Sequence, residues 1–334
     1  MKICSNCVLP GTFPGIGFDQ NGICNFCRDF KGKEHLEKEK EKYRQRFDEL
    51  LSKFKDSSSY DALMAYSGGK DSTYTLYILK KKYDLKVLAL TFDNGFLSEQ
   101  ALKNIREVVE SLGVDHIFFK PDFKLLKKIF LTGTREDIFS RKTLDRASTI
   151  CTSCMGIVKF TTLKLALEKK IPFITYGWSP GQAPISASIF KNNPSMLKQM
   201  QEAIKGPLFK IAGERISPYF LEEADFQQEA FFPYNISPLA FLEYEEEKIY
   251  KKIEELGWNM PVDTDSNSTN CLLNSFANLV HKQRFGFHPY AFELAKLVRE
   301  GYLQREEALK RLEQEEKKNT VELVKKKLGL NQSL

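Results

Sequence analysis

Several things are scarce in this chain of 334 residues, and each scarcity excludes something. Its four histidines, His35, His116, His281 and His288, stand at no metal-ligand spacing, so each is read as structural. No apolar run reaches membrane-spanning length, so no membrane partner is expected. The opening MKICSNC lacks the apolar core of a signal peptide. The expected compartment is therefore the cytoplasm, where thiols stay reduced and cysteine pairs point to metal or redox chemistry. Charge is nearly balanced, with 50 basic and 44 acidic residues and a net +6. That excess permits a polyanionic partner without requiring one, and no stretch resembles a dedicated RNA-binding module. What the chain has is length and apolar content: 42% hydrophobic residues can bury a full core in two or three modules.

It also has seven cysteines, which divide into four and three. Cys4-x₂-Cys7 and Cys24-x₂-Cys27 are separated by sixteen residues, the spacing of a zinc ribbon. Between them Pro10, Gly11, Pro14, Gly15 and Gly17 mark turns, and residues 19–22 read as a hairpin loop. So small a segment has little core, so bound Zn²⁺ would supply its folding energy. Four protein ligands leave no open coordination position, so this zinc would be structural.

Residues 60–77, YDALMAYSGGKDSTYTLY, read as strand, turn and helix. The turn is Ser67, Gly68, Gly69, Lys70, Asp71 and Ser72. Glycines let backbone N–H groups approach an anion, and a helix starting here presents its positive end to the same point. Lys70 adds a charge, and Ser67 and Ser72 add hydroxyls. The expectation is a phosphate cradle. It is not a Walker loop, because Asp71 follows the lysine where that motif has Ser or Thr.

Further strands are expected at 85–92, 116–119 and 171–176, with a helix at 97–112 between the first two. Strands alternating with helices argue an α/β fold with a doubly wound parallel sheet, whose ligands sit at the carboxyl ends of the strands. Three segments fall at such ends: the turn at 67–72, the segment from Asp93 to Phe96, and GWSPGQ from Gly177 to Gln182. Asp93 has two readings, a nucleotide contact or a helix cap. Gly177 is a further candidate for nucleotide contact.

Cys151-Thr152-Ser153-Cys154 leads into a helix over 155–168, where the helix dipole is expected to lower the thiol pKa values. Redox disulfide, metal or cluster ligands, and structural thiols all stand as readings of this pair. Residues 183–235 form a long connection with a lysine-rich helical piece at 195–205. A helix is expected over 238–257, then a polar loop at 263–274 (DTDSNSTNCLLN) that carries Cys271. Two short helices at 292–301 and 305–316 follow, with lysine runs read as solvated and residues 330–334 as a loose end. The expected organisation is a ribbon at 1–30, a linker helix at 31–58 and a nucleotide-binding core at 59–182. An acceptor-binding insertion at 183–236 and a helical region at 237–334 complete it.

SGGKDS after a strand resembles the PP-loop of the ATP pyrophosphatase superfamily. The N-terminal pattern is similar to one branch of it, the zinc-ribbon branch that includes bacterial N-acetyl sugar amidotransferases. The matching residues are Cys4, the CVLP run from Cys7, Phe18-Asp19, Gly22-Ile23-Cys24-x₂-Cys27, Cys151-x₂-Cys154-Met155-Gly156-Ile157 and LVREGYLQREEAL at 297–309. The resemblance implies cleavage of ATP between the α and β phosphates, with Mg²⁺ on the pyrophosphate and Asp71 nearest to orient it. It further implies adenylation of an acceptor and ammonia supplied by a glutaminase partner.

The chain departs from that branch at Asn270-Cys271-Leu272-Leu273-Asn274, which adds a third cysteine. A PP-loop with Cys151, Cys154 and Cys271 resembles the iron–sulfur tRNA thiolases of the same superfamily. There, three cysteines hold a [4Fe–4S] cluster with one iron open for sulfide. Sulfur transfer accounts for all seven cysteines and is the favoured expectation, with a sulfur donor as partner. Amidotransfer leaves Cys271 without a role. A non-catalytic nucleotide-binding protein is a third class, against which the intact SGGKDS argues. The acceptor, tRNA or a nucleotide sugar or another small molecule, is unspecified, and a homodimer is compatible with all readings.

Overall fold

The computed structural model describes residues 2–227 and 231–330. Its centre is a six-stranded sheet: β1 (Ala62–Ala65), β2 (Val87–Phe92), β3 (Asp115–Phe119), β4 (Phe173–Tyr176), β5 (Ile189–Lys191) and β6 (Tyr234–Ile236). The spatial order is β3-β2-β1-β4-β6-β5. All neighbours are parallel except β5 and β6. β1, β2 and β4 are apolar runs because a sheet covered on both faces has no solvent side. The chain winds outward from β1 through β2 to β3, then returns to the other side of β1 as β4. The switch in direction opens a crevice beyond the carboxyl ends of β1 and β4, where such sheets bind ligands.

The four anticipated strands are present, and the sheet is α/β as expected. β5 and β6 were not anticipated. They come from the long connection, so part of that segment joins the sheet. Its helix runs Pro194–Ala212 and carries Pro207 inside it, continuing through Gly206-Pro207 where a break had been expected.

The helix Thr149–Glu168 joins β3 to β4. By length and composition it could cross a membrane, contrary to the sequence reading that no apolar run is long enough. Here eleven of its twenty residues are buried. It packs on β1, β4 and the helices Phe123–Arg135, Pro194–Ala212 and Leu273–Phe285. A helix apolar all round is what a buried position requires.

The expected helix over 238–257 is broken. Pro238–Ala240 is a 3₁₀ turn, and the α-helix is Glu246–Glu254. Between them Tyr244 is buried and Glu245 is extended. Helices over Leu273–Phe285 and Lys318–Leu328 were missed. The second hides Val321, Val324 and Leu328 beneath its lysines. The expected loose end, beyond Leu330, lies outside the described residues.

The N-terminal four-cysteine segment docks far along the chain. Arg305 donates to the carbonyls of Cys7 and Cys4, each at 3.0 Å. Phe13 stacks on Phe292 with ring centroids 5.5 Å apart. The linker helix, Lys33–Phe54, buries Phe47 against Tyr83 and Phe241.

Candidate nucleotide and thiol site

The SGGKDS turn leaves β1 at its carboxyl end and enters the helix Lys70–Tyr77. Gly68 has φ +75°, and a Cβ there would lie 2.5 Å from Ile105, so both conformation and space demand glycine. Ser67 and Ser72 hydroxyls are 3.0 Å apart across the turn. Gly177, after β4, faces the same helix start: a Cβ on it would come within 2.3 Å of the Ser72 Cα. Its lack of a side chain is thus explained by close approach of β4's exit to the helix N-terminus.

Three contacts close this turn from distant residues. Trp258 Nε1 donates to the Gly68 carbonyl at 3.0 Å. Asn270 Nδ2 donates to the Ser67 carbonyl at 3.1 Å. The Lys70 backbone N–H donates to Thr269 Oγ1 at 2.9 Å. Trp258 was not singled out in the sequence; Thr269 and Asn270 were covered only as part of the polar loop that carries Cys271.

Lys70 does not extend into the turn. Its ammonium is buried, 2.8 Å from Glu246 Oε1, 2.8 Å from Tyr244 Oη and 3.0 Å from Asp71 Oδ1. Arg311 Nη2 holds the other Glu246 oxygen at 2.7 Å. Burial works against the Lys70 charge, but Asp71, Tyr244 and Glu246 outweigh it and hold the pKa well above its ordinary value. Burial likewise opposes the Glu246 charge, and Lys70 with Arg311 still brings its carboxyl down to about 2. The expected free cradle lysine is therefore a member of a buried ion network. Asp71 accepts from Tyr244 at 3.1 Å and faces the same network.

Asp93 does not cap the following helix; Ser98 does, accepting from Ala101 N. Asp93 accepts from Gly95 N at 2.8 Å and pairs with Lys120 at 3.2 Å. In the loop after β4, Ser179 donates to Glu293 at 2.8 Å. Burial raises the Glu293 carboxyl to about 7, more than the Ser179 bond lowers it.

The three later cysteines converge beside this turn. The segment after β2 and the polar loop are zipped together: Ser98 N donates to Asn270 O at 3.0 Å, and Leu272 N donates to Phe96 O at 2.8 Å. That pairing sets Cys271 opposite Leu97. Cys151 and Cys154 occupy the first turns of Thr149–Glu168, capped by Ser148. Asn94 Nδ2 donates to Cys154 Sγ at 3.6 Å and Cys271 Sγ at 3.5 Å, and Asn274 Nδ2 donates to Cys151 Sγ at 3.8 Å. The expected lowering of these thiol pKa values is overturned. Burial pushes Cys151 up to about 11 and raises Cys154 and Cys271 as well, because a low-dielectric site disfavours the thiolate more than one helix dipole favours it.

The N-terminal cysteines form a tighter set. Cys4 and Cys27 sulfurs are 3.8 Å apart, as are those of Cys7 and Cys24, and all four lie within 4.8 Å of one another. A tetrahedron with Zn–S bonds of about 2.3 Å has edges of about 3.8 Å, so the set could hold one such ion. Among the described residues no other group of three or more His, Cys, Asp or Glu ligand atoms is drawn so close. The Cys151, Cys154 and Cys271 sulfurs therefore stand wider than a single-ion site.

Residues 61–171 match the family of queuosine biosynthesis protein QueC. A protein of Methanocaldococcus jannaschii described as uncharacterized is 26% identical over 274 residues, covering 82% of this chain and 80% of its own length. Among solved structures, the chain is similar to the U34-tRNA thiolase NcsA from Methanococcus maripaludis with its [4Fe-4S] cluster (18% identity, 100% and 99% of the two chains, TM-score 0.36). It is also similar to NMN synthetase from Francisella tularensis (13% identity, 92% and 98%, TM-score 0.36).

Proposed function

We propose that this chain, whose residues 61–171 match the QueC family of PP-loop ATP pyrophosphatases, uses ATP to activate an acceptor oxygen and replaces that oxygen with sulfur. In the first step the acceptor oxygen bonds to the α-phosphorus, the bond from that phosphorus to the β-bridging oxygen breaks, and pyrophosphate leaves. In the second, sulfur bonds to the activated carbon, and AMP departs with the acceptor's oxygen. The N–H groups at the start of Lys70–Tyr77 face where the pyrophosphate would lie, with the Ser67 and Ser72 hydroxyls beside them. Asp71 is the residue to orient Mg²⁺ or its waters on the phosphates.

The observation that carries the reading is the convergence of Cys151, Cys154 and Cys271 next to that turn, bridged through Asn94 and the Leu97–Cys271 pairing. Three cysteines held wider apart than one ion needs suit a [4Fe–4S] centre. Bound there, such a centre would supply an open iron for sulfide. The protein's own part is to keep the three sulfurs at the strand ends and, through burial, to limit water. Cys4, Cys7, Cys24 and Cys27 are assigned a structural Zn²⁺. The acceptor is tRNA or a small molecule such as a nucleotide sugar, and a sulfur donor serves as partner.

The test is anaerobic purification with iron and sulfide supplied. The expected protein is brown, holds about four irons per chain in addition to zinc, and loses colour when any one of Cys151, Cys154 or Cys271 becomes Ser. Colourless protein, with Cys271→Ser still active when ammonia is added, would replace sulfur transfer by amidotransfer.

A further inference from the structure

We propose that Asn94 and Asn274 are positioning residues whose amide groups hold the three cysteine sulfurs and tune the centre that those sulfurs bind. The inference rests on the sulfur-transfer reading above. Each asparagine has its oxygen committed elsewhere. Asn94 Oδ1 accepts from Phe96 N at 2.9 Å, in the turn that follows β2. Asn274 Oδ1 accepts from Asn278 Nδ2 at 3.0 Å, one helical turn on. With the oxygens fixed, both NH₂ groups must point the other way, and they point at sulfur. Asn94 donates to Cys154 and Cys271. Asn274 donates to Cys151 at 3.8 Å and to Tyr290 Oη at 3.1 Å.

Both side chains are 7% exposed. A buried amide costs stability unless its groups are bonded. Among the described residues, the Asn94 NH₂ has the two sulfurs as its partners. A side chain kept there at that cost is explained by what it does to sulfur. The two amides between them reach all three cysteines, and they come from two separate elements: the loop after β2 and the helix Leu273–Phe285. An amide donates at every pH and carries no charge, so it favours thiolate sulfur without competing as a ligand. Donors to ligand sulfurs stabilise the more negative, reduced state of an iron–sulfur centre and orient its ligands.

The experiment compares wild-type protein, Asn94→Asp, Asn94→Leu and Asn274→Leu, each reconstituted anaerobically with ferrous iron and sulfide. Iron per chain, midpoint potential by EPR-monitored titration, and the rate of iron loss to a chelator are read. Asn94→Asp keeps the oxygen that accepts from Phe96, so the turn survives, but it presents an acceptor where a donor stood. The expected result is a lower midpoint potential in all three variants and iron loss about tenfold faster, the usual scale for removing a partner of a metal ligand. Iron-loaded wild type with variants of identical potential and iron-loss rate overturns this inference and leaves the sulfur reading standing. Wild type that takes up no iron overturns the sulfur reading, and this inference with it.

Discussion

The Thr269 hydroxyl lies 2.9 Å from the Lys70 backbone nitrogen and accepts its hydrogen bond. It thus occupies the first free donor of a helix N-terminus, the place where a phosphate oxygen would otherwise sit. Pyrophosphate entering the turn competes with it. Thr269→Val removes the competitor at nearly constant shape, and is expected to tighten magnesium pyrophosphate binding about two- to tenfold, the worth of one net hydrogen bond. Isothermal titration of metal-free protein measures this. Weaker binding in the variant would mean that the hydroxyl serves the ligand instead.

Lys70 is expected to matter to stability as well as to turnover. The sequence alone suggests that Lys70→Ala would silence ATP turnover and spare the fold. In the structure that change strips a buried partner from Glu246 and Asp71. Breaking such a network from one side costs about 3–5 kcal/mol. Lys70→Met should therefore unfold at markedly lower urea, and Lys70→Met with Glu246→Gln should regain part of that loss without regaining pyrophosphate release. A single variant as stable as wild type would show the network to be unimportant.

Zinc removal should be felt in two places. Cys24→Ser is expected to release about one zinc per chain. It should also raise hydrogen exchange both at residues 2–28 and around Arg305, which binds the Cys4 and Cys7 carbonyls. Faster exchange confined to the N-terminal segment would argue that the docking is weak.

Acid should destabilise the protein through two buried histidines. Among the described residues His281 has no hydrogen-bond partner on either ring nitrogen, and it sits against Phe285 and Phe287. Burial lowers it to about 3 and His288 to about 4, from an ordinary 6.5. Between those values the unfolded chain binds protons that the folded one refuses. Stability is thus complete above pH 6.5 and falls progressively as pH drops toward 3. His281→Phe should flatten this slope in urea titrations at pH 7, 6 and 5. An unchanged slope would place the acid sensitivity elsewhere.

The residues that could be read in advance were those whose role is local. β1, β2 and β4 are apolar runs closed by glycine or aspartate, and the turn between β1 and its helix carries its own chemistry. The three-residue strands β5 and β6 have no periodicity to detect; pairing makes them strands. The break at Tyr244 in the expected 238–257 helix is equally invisible locally, because the partner that Tyr244 meets there is Lys70, 174 positions away. Grouping Cys271 with Cys151 and Cys154 followed from counting. The asparagines that reach them did not, because only the fold brings Asn94 to Cys154 and Cys271 and Asn274 to Cys151. The thiol pKa values were misjudged for a related reason: helix position is written in the sequence, and burial is not.

Arg305 and the carbonyls it binds are 301 and 298 residues apart. On a ribosome adding about 5–20 residues per second, the cysteine segment emerges roughly 15–60 s before the helix that receives it. During that interval it has no docking surface, and four thiols stand near one another in an unfinished protein. Metal capture is the one event that can settle them early. On the zinc assignment proposed above, zinc supply during synthesis, rather than after it, becomes a condition for correct assembly, and zinc starvation would be felt as a timing fault that later addition repairs only slowly.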